Sequence, residues 1–144
     1  MKKRRFLACV VCLIMLLAFA ATASAAVTYY NFHGSCRRFF NTEEMLQKSS
    51  DETWSEFSIR ATTLRYENGS RNYANAVVQT LSGIVCAFPQ QITRGVKATF
   101  SPKTAASADE NKVNARLFNS YYLYEKTEDV KLTIGGEVRG VLGG

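Results

Sequence analysis

The residues able to do chemistry in this 144-residue chain are few, and their spacing argues against most of the chemistry they could do. The one histidine, His33, stands beside Gly34 and Ser35. A hydrolytic metal centre usually takes about three protein ligands, often histidines, and no His-Glu-x-x-His, EF-hand or phosphate-loop spacing occurs. A serine nucleophile would have to recruit His33 as its only imidazole, and no Gly-x-Ser-x-Gly elbow is present. His33 is read as an ordinary strand-end residue. Carboxylate pairs occur at Glu43-Glu44, Asp51-Glu52 and Asp109-Glu110, and two acids can divide acid and base roles across a glycosidic bond. Here the first pair sits where a helix start favours acids and the other two fall in polar stretches, so all three are read as solubilising. No catalytic, cofactor-binding or metal-binding residue is assigned, and the expectation is a protein that is not an enzyme.

Two aromatic-basic groupings carry the positive signal. Arg37-Arg38-Phe39-Phe40 follows Cys36 directly and could touch an anionic polymer or lipid headgroup. Arg116 and Phe118, with Tyr122 and Tyr124, fall on the outer face of a strand and resemble the flat aromatic surfaces on which sugars stack. Arg37, Arg38, Arg116, Phe118, Tyr122 and Tyr124 therefore form the candidate binding surface.

The amino terminus sets the expected destination. Lys2, Lys3, Arg4 and Arg5 precede an uncharged run from Phe6 to Ala20, followed by Ala23-Ser24-Ala25. A bilayer core of ~30 Å needs about 20 helical residues, so this run is short for a span, and the small-x-small pattern after it suits a signal peptidase. Residues 1–25 are expected to be a cleaved signal peptide and residues 26–144 one secreted domain. Without the four basic residues of the leader, 14 basic residues face 12 acidic ones, too even a balance for the basic footprint that nucleic acid demands. No later run is long enough to span a membrane. Cys9 and Cys12 leave with the leader, and Cys36 and Cys86 are expected to pair in an oxidising compartment, a link contributing about 4 kcal/mol on a chain-entropy argument.

The elements that would position these residues are mostly strands. Trp54 to Tyr66, the Asn68-Gly69 turn and Tyr73 to Leu81 predict a hairpin, because Asn and Gly accept the positive φ of a tight turn. Alternation in Val113 to Lys126 and again in Val130 to Ile134 predicts a second hairpin closing the chain. Weaker strands are expected at Val27 to His33, Leu81 to Phe88 and Val96 to Ser101, with Pro89 and Pro102 ending the last two. A short helix is expected after Asn41-Thr42-Glu43-Glu44, and a surface loop from Lys103 to Lys112. The sum is an all-β chain, a small antiparallel β-sandwich or partly closed barrel with one short helix. Its expected role is a secreted binding protein acting on an unidentified envelope or extracellular partner; the alternative is a secreted toxin or antimicrobial effector of the bacteriocin kind.

Overall fold

A computed structural model describes residues 2–20, 26–69, 71–119 and 130–143. Helix α1 (Lys2–Ala20) is followed by strands β1 (Val27–Cys36), β2 (Phe39–Asn41), β3 (Leu46–Gln47), β4 (Thr53–Tyr66), β5 (Tyr73–Thr80), β6 (Val85–Thr93) and β7 (Lys97–Phe100). Helix α2 (Ala105–Asp109), β8 (Lys112–Phe118) and β9 (Leu132–Gly143) complete the order. The strands form two antiparallel sheets, one ordered β1-β9-β4-β7 and the other β2-β8-β5-β6 with β3 also on β8. Among the described residues no strand pairs across from one sheet to the other, so the architecture is the sandwich and not the barrel.

The first sheet brings large side chains to the core, among them Phe57, Ile59, Leu64, Tyr66, Leu132, Ile134 and Val138. The second meets them with the small Ala74, Ala76, Val78, Ala87, Val113 and Ala115 and the larger Leu46, Ile92 and Leu117. Mixing large and small side chains lets two twisted layers interdigitate. Trp54 closes one end, its ring 5.3 Å from that of Phe57 and its Nε1 donating to the Glu110 carbonyl at 2.6 Å. The described residues of α1 from Lys2 to Ile14 are exposed, and no described helix is long and apolar enough to cross a membrane.

Strand positions follow the sequence more closely than strand pairing does. Gly69 has the expected positive φ of 63° and donates to the Tyr66 carbonyl, yet β4 and β5 lie in different sheets. β5 is buried on both faces and takes β6 and β8 on its two edges. Arg71 stacks over Tyr66 and Tyr73, tying the ends of the crossing chain together. The second expected hairpin fails in the same way: β8 and β9 belong to opposite sheets, and residues 120–129 lie outside the described residues. β5 instead makes its hairpin with β6 through a turn at Leu81–Ile84 in which Gly83 has φ 91°. Pro89 does not end β6. It sits where the register shifts on an edge strand, the place where a missing N–H costs no ladder bond.

In place of the expected helix after Asn41, a bend leads from β2, which ends at Asn41, to β3, and both strands lie on β8. Thr42 turns inward there, and its hydroxyl bonds Tyr30 and the Ala115 amide, while Leu46 is 1% exposed. Burial on these partners outweighs a helix start of two turns. The short helix lies instead in the expected loop, where the Thr104 side chain caps Ala105–Asp109 by accepting from the Ser107 amide.

Cys36 and Cys86 are both free thiols, correcting the expected disulfide. Cys36 ends β1, which packs over β2 and β3 at one lateral edge of the sandwich. Cys86 is in β6, which packs over β4 and β7 at the other. Two or more strand spacings, about 10 Å or more, separate them, beyond the Cα reach of a bridge.

Candidate functional site

The outer face of the first sheet carries an open depression. Its floor is made by Gly135 in the central strand β9, where a side chain would otherwise stand. A Cβ at Gly135 would lie 3.0 Å from His33 Cδ2 and 3.2 Å from the Phe32 carbonyl oxygen. Beside it, β4 bulges so that Thr62 is inserted between Ala61, opposite Gly136, and Thr63, opposite Gly135. The result is an open trough of about 700 Å³ whose polar walls are Asn31 and His33 from β1, Arg60, Thr62 and Thr63 from β4, and Glu137 and Arg139 from β9.

Register explains the company these residues keep. Asn31 opposes Glu137, which opposes Arg60, which opposes Lys97, a row of four outward side chains across four strands. In the next row Tyr29, Arg139 and Ser58 stand side by side. Arg139 Nε donates to the Glu137 carboxylate, and this bond holds the guanidinium pKa above its ordinary value; its Cζ also lies 5.9 Å from the centre of the Tyr29 ring. Lys97 pairs with Glu56 at 3.6 Å. Among the described residues none makes a hydrogen bond or ion pair with the Arg60 side chain. A second, smaller hollow of about 160 Å³ continues the trough, with Arg60, Glu137 and Arg139 shared between the two and Ser58 and Lys97 beyond.

Donors dominate this arrangement: an unengaged guanidinium fork, an imidazole, a carboxamide and a hydroxyl converge on one open space. A planar fork matches the paired oxygens of a carboxylate, sulfate or phosphate, and neighbouring hydroxyl and amide groups suit the hydroxyls around such an anion. Among the described residues no cluster of three His, Cys, Asp or Glu side chains is poised to hold a metal ion.

Of the surface expected from sequence, the structure sets Arg116 and Phe118 of β8 beside β2, which follows Arg37 and Arg38 directly. Phe118 is 2% exposed, so it presents nothing to a ligand; β8 is a middle strand and its outward row is covered as well as its inward one. Arg116 is half-buried and held in place, its Nε donating to Asn41 Oδ1 at 2.9 Å and its Cζ 4.6 Å from the centre of the Phe39 ring. Arg37 is exposed and pairs with Glu67 at 3.7 Å, and Arg38 is exposed. Tyr122 and Tyr124 lie outside the described residues. Sequence reading passed over Asn31, Arg60, Thr62, Gly135 and Arg139. The available signal was Gly135-Gly136 inside an alternating run, since glycine within a strand marks a bulge or a close backbone approach.

The two thiols offer little nucleophilic chemistry. Burial pushes the Cys36 thiol up to about 11 and also raises that of Cys86, where Glu110 adds to the effect. Thiols so shifted stay protonated near neutrality. No family model, curated protein or solved structure matches this chain.

Proposed function

We propose that the protein is an exported, non-enzymatic binding module whose trough on the first sheet takes an anionic group of an extended envelope or extracellular polymer. The observation that carries this reading is Arg60: an exposed guanidinium that no described residue pairs with, beside a glycine-floored trough in which donors outnumber the one carboxylate, Glu137, itself bonded by Arg139. An open, shallow site suits one stretch of a long chain better than a small molecule, which is usually enclosed over most of its surface. Export is supported by the Lys2–Arg5 cluster, the apolar run after it and the exposed apolar side chains Phe6, Leu7 and Ile14 of α1, which the sandwich does not cover.

Titration calorimetry with a polyuronate and with a neutral glucan tests the reading. Binding to the polyuronate alone is expected, weakening as salt is raised. Arg60→Ala and Gly135→Val, the second filling the trough with apolar bulk, should each abolish it with the fold intact. Equal binding of the neutral glucan, or polyuronate binding that survives both substitutions, would overturn the proposal.

A further inference from the structure

The lateral edges of the two sheets are not alike. β7 is four residues long and carries Lys97, β6 carries Pro89 and a register shift, and β2 and β3 are three and two residues long. Short strands, edge lysines, prolines and bulges are the devices that keep strand edges from pairing with other chains. β1 has none of them. It runs ten residues in unbroken register with β9, and Val27–Cys36 contains no Lys, Arg, Asp, Glu or Pro.

The hydrogen-bonding of that open edge can be assigned residue by residue. The Leu142 amide donates to the Ala26 carbonyl, so Ala26 and Leu142 are a hydrogen-bonded pair of the β1–β9 ladder. Such pairs alternate with non-bonded ones. Thr28, Tyr30, Phe32, Gly34 and Cys36 therefore spend their backbone groups on β9. Val27, Tyr29, Asn31, His33 and Ser35, all exposed, turn theirs outward. Beside the second half of the strand, a hollow of about 290 Å³ lies between Phe32–Ser35 and Phe40–Glu44.

We infer that this edge pairs with a second copy of itself, antiparallel, about a two-fold axis at Asn31. That register matches all five outward-pointing residues: Val27 meets Ser35, Tyr29 meets His33, and Asn31 meets its own copy. Because the strand carries no charged side chain, self-pairing sets no like charges together. The product is one continuous eight-stranded sheet. It would also set the Asn31 and His33 walls of two troughs side by side, but the inference rests on the backbone edge and not on any ligand.

Sedimentation velocity of the purified protein over a range of concentrations tests it, with two substitutions at the exposed axis residue. The parent should show a reversible dimer, and Asn31→Lys, which places two ammonium groups on the axis, should lose it. Asn31→Cys should form an intermolecular disulfide that the parent lacks, since hydrogen-bonded antiparallel partners have Cα atoms about 5.5 Å apart, within the reach of a bridge. A parent that is monomeric at every concentration overturns the inference. So does a dimer that persists in Asn31→Lys while Asn31→Cys fails to cross-link, which is the pattern expected of association through α1.

Discussion

Gly136 meets the backbone of Ala61 so closely that a Cβ on it would lie 2.8 Å from Ala61 Cα and closer still to the Arg60 carbonyl oxygen. The bulge at Thr62 depends on this approach, and the bulge in turn forms one wall of the trough. Gly136→Ala should destabilise the protein by about 1–3 kcal/mol, because the obstruction is backbone and has no rotamer to escape into. Gly135→Ala one residue earlier meets the exposed His33 side chain, which can swing away, and the Phe32 carbonyl oxygen only at 3.2 Å, and should cost less. Urea unfolding of both variants checks the contrast; an equal loss would show that the bulge does not require Gly136.

The same pair of glycines shows where sequence reading stops. The alternation Val130, Leu132, Ile134 was visible, but two consecutive glycines look like a strand's end, whereas β9 continues through them to Gly143 as the most paired strand of its sheet. Period-two patterning reports which residues face a core; it does not report which edge a strand joins. Asn68-Gly69 illustrates this, for the local turn forms as expected while the chain it turns crosses to the other sheet. Thr42 has the sequence context of a helix start, yet its hydroxyl bonds a residue 12 positions away, Tyr30. The trough was illegible for a related reason: Asn31, Arg60 and Arg139 are brought together by the β1-β9-β4 pairing, and no spacing within one segment signals it.

Gly140 bears on stability as Gly136 does, since its bare Cα gives the Trp54 ring its space. Trp54 is 2% exposed and links the end of the core to α2 through Glu110. Trp54→Ala should cost about 3–5 kcal/mol. Trp54→Phe, which keeps much of the packing but loses the Nε1–H donor, should cost substantially less than Trp54→Ala, with about 0.5–1.5 kcal/mol of its loss traceable to the hydrogen bond. Chemical denaturation of the two variants gives both numbers; a Phe variant as unstable as the Ala variant would move the weight from packing to the hydrogen bond.

Tyr30 predicts how the fold responds to alkali. Burial pushes its phenol up to about 12, against a partial offset from its bonds to Thr42 and the Ala115 amide. A folded-state pKa above the unfolded value of about 10 means that the native state holds this proton after the unfolded chain has lost it. The contribution is fully present below pH ~10 and is lost between there and about 12, an amount on the order of 2–3 kcal/mol. Tyr30→Phe should be less stable at neutrality, through the loss of two hydrogen bonds, and should lose less further stability over that alkaline window. Parallel pH profiles for the parent and the variant would refute the assignment.

The thiols give the last prediction. Cys36, raised to about 11 by burial, is ionised at pH 8 in roughly one molecule in a thousand, whereas an unperturbed cysteine near 8.5 is ionised in about a quarter. Alkylation at pH 8 should therefore label Cys36 of the folded protein roughly 100-fold or more slowly than in the unfolded chain, with Cys86 slowed in the same sense. Cys9 and Cys12, exposed on α1, supply a fast-reacting comparison within any sample that retains the helix. On unfolding, both Cys36 and Cys86 should take up reagent without prior reduction, because they sit on opposite lateral edges of the sandwich. Peptide mass mapping reads each site separately. A requirement for reductant before Cys36 and Cys86 can be labelled would mean that they are bonded and that β1 and β6 lie far closer than the two sheet orders place them.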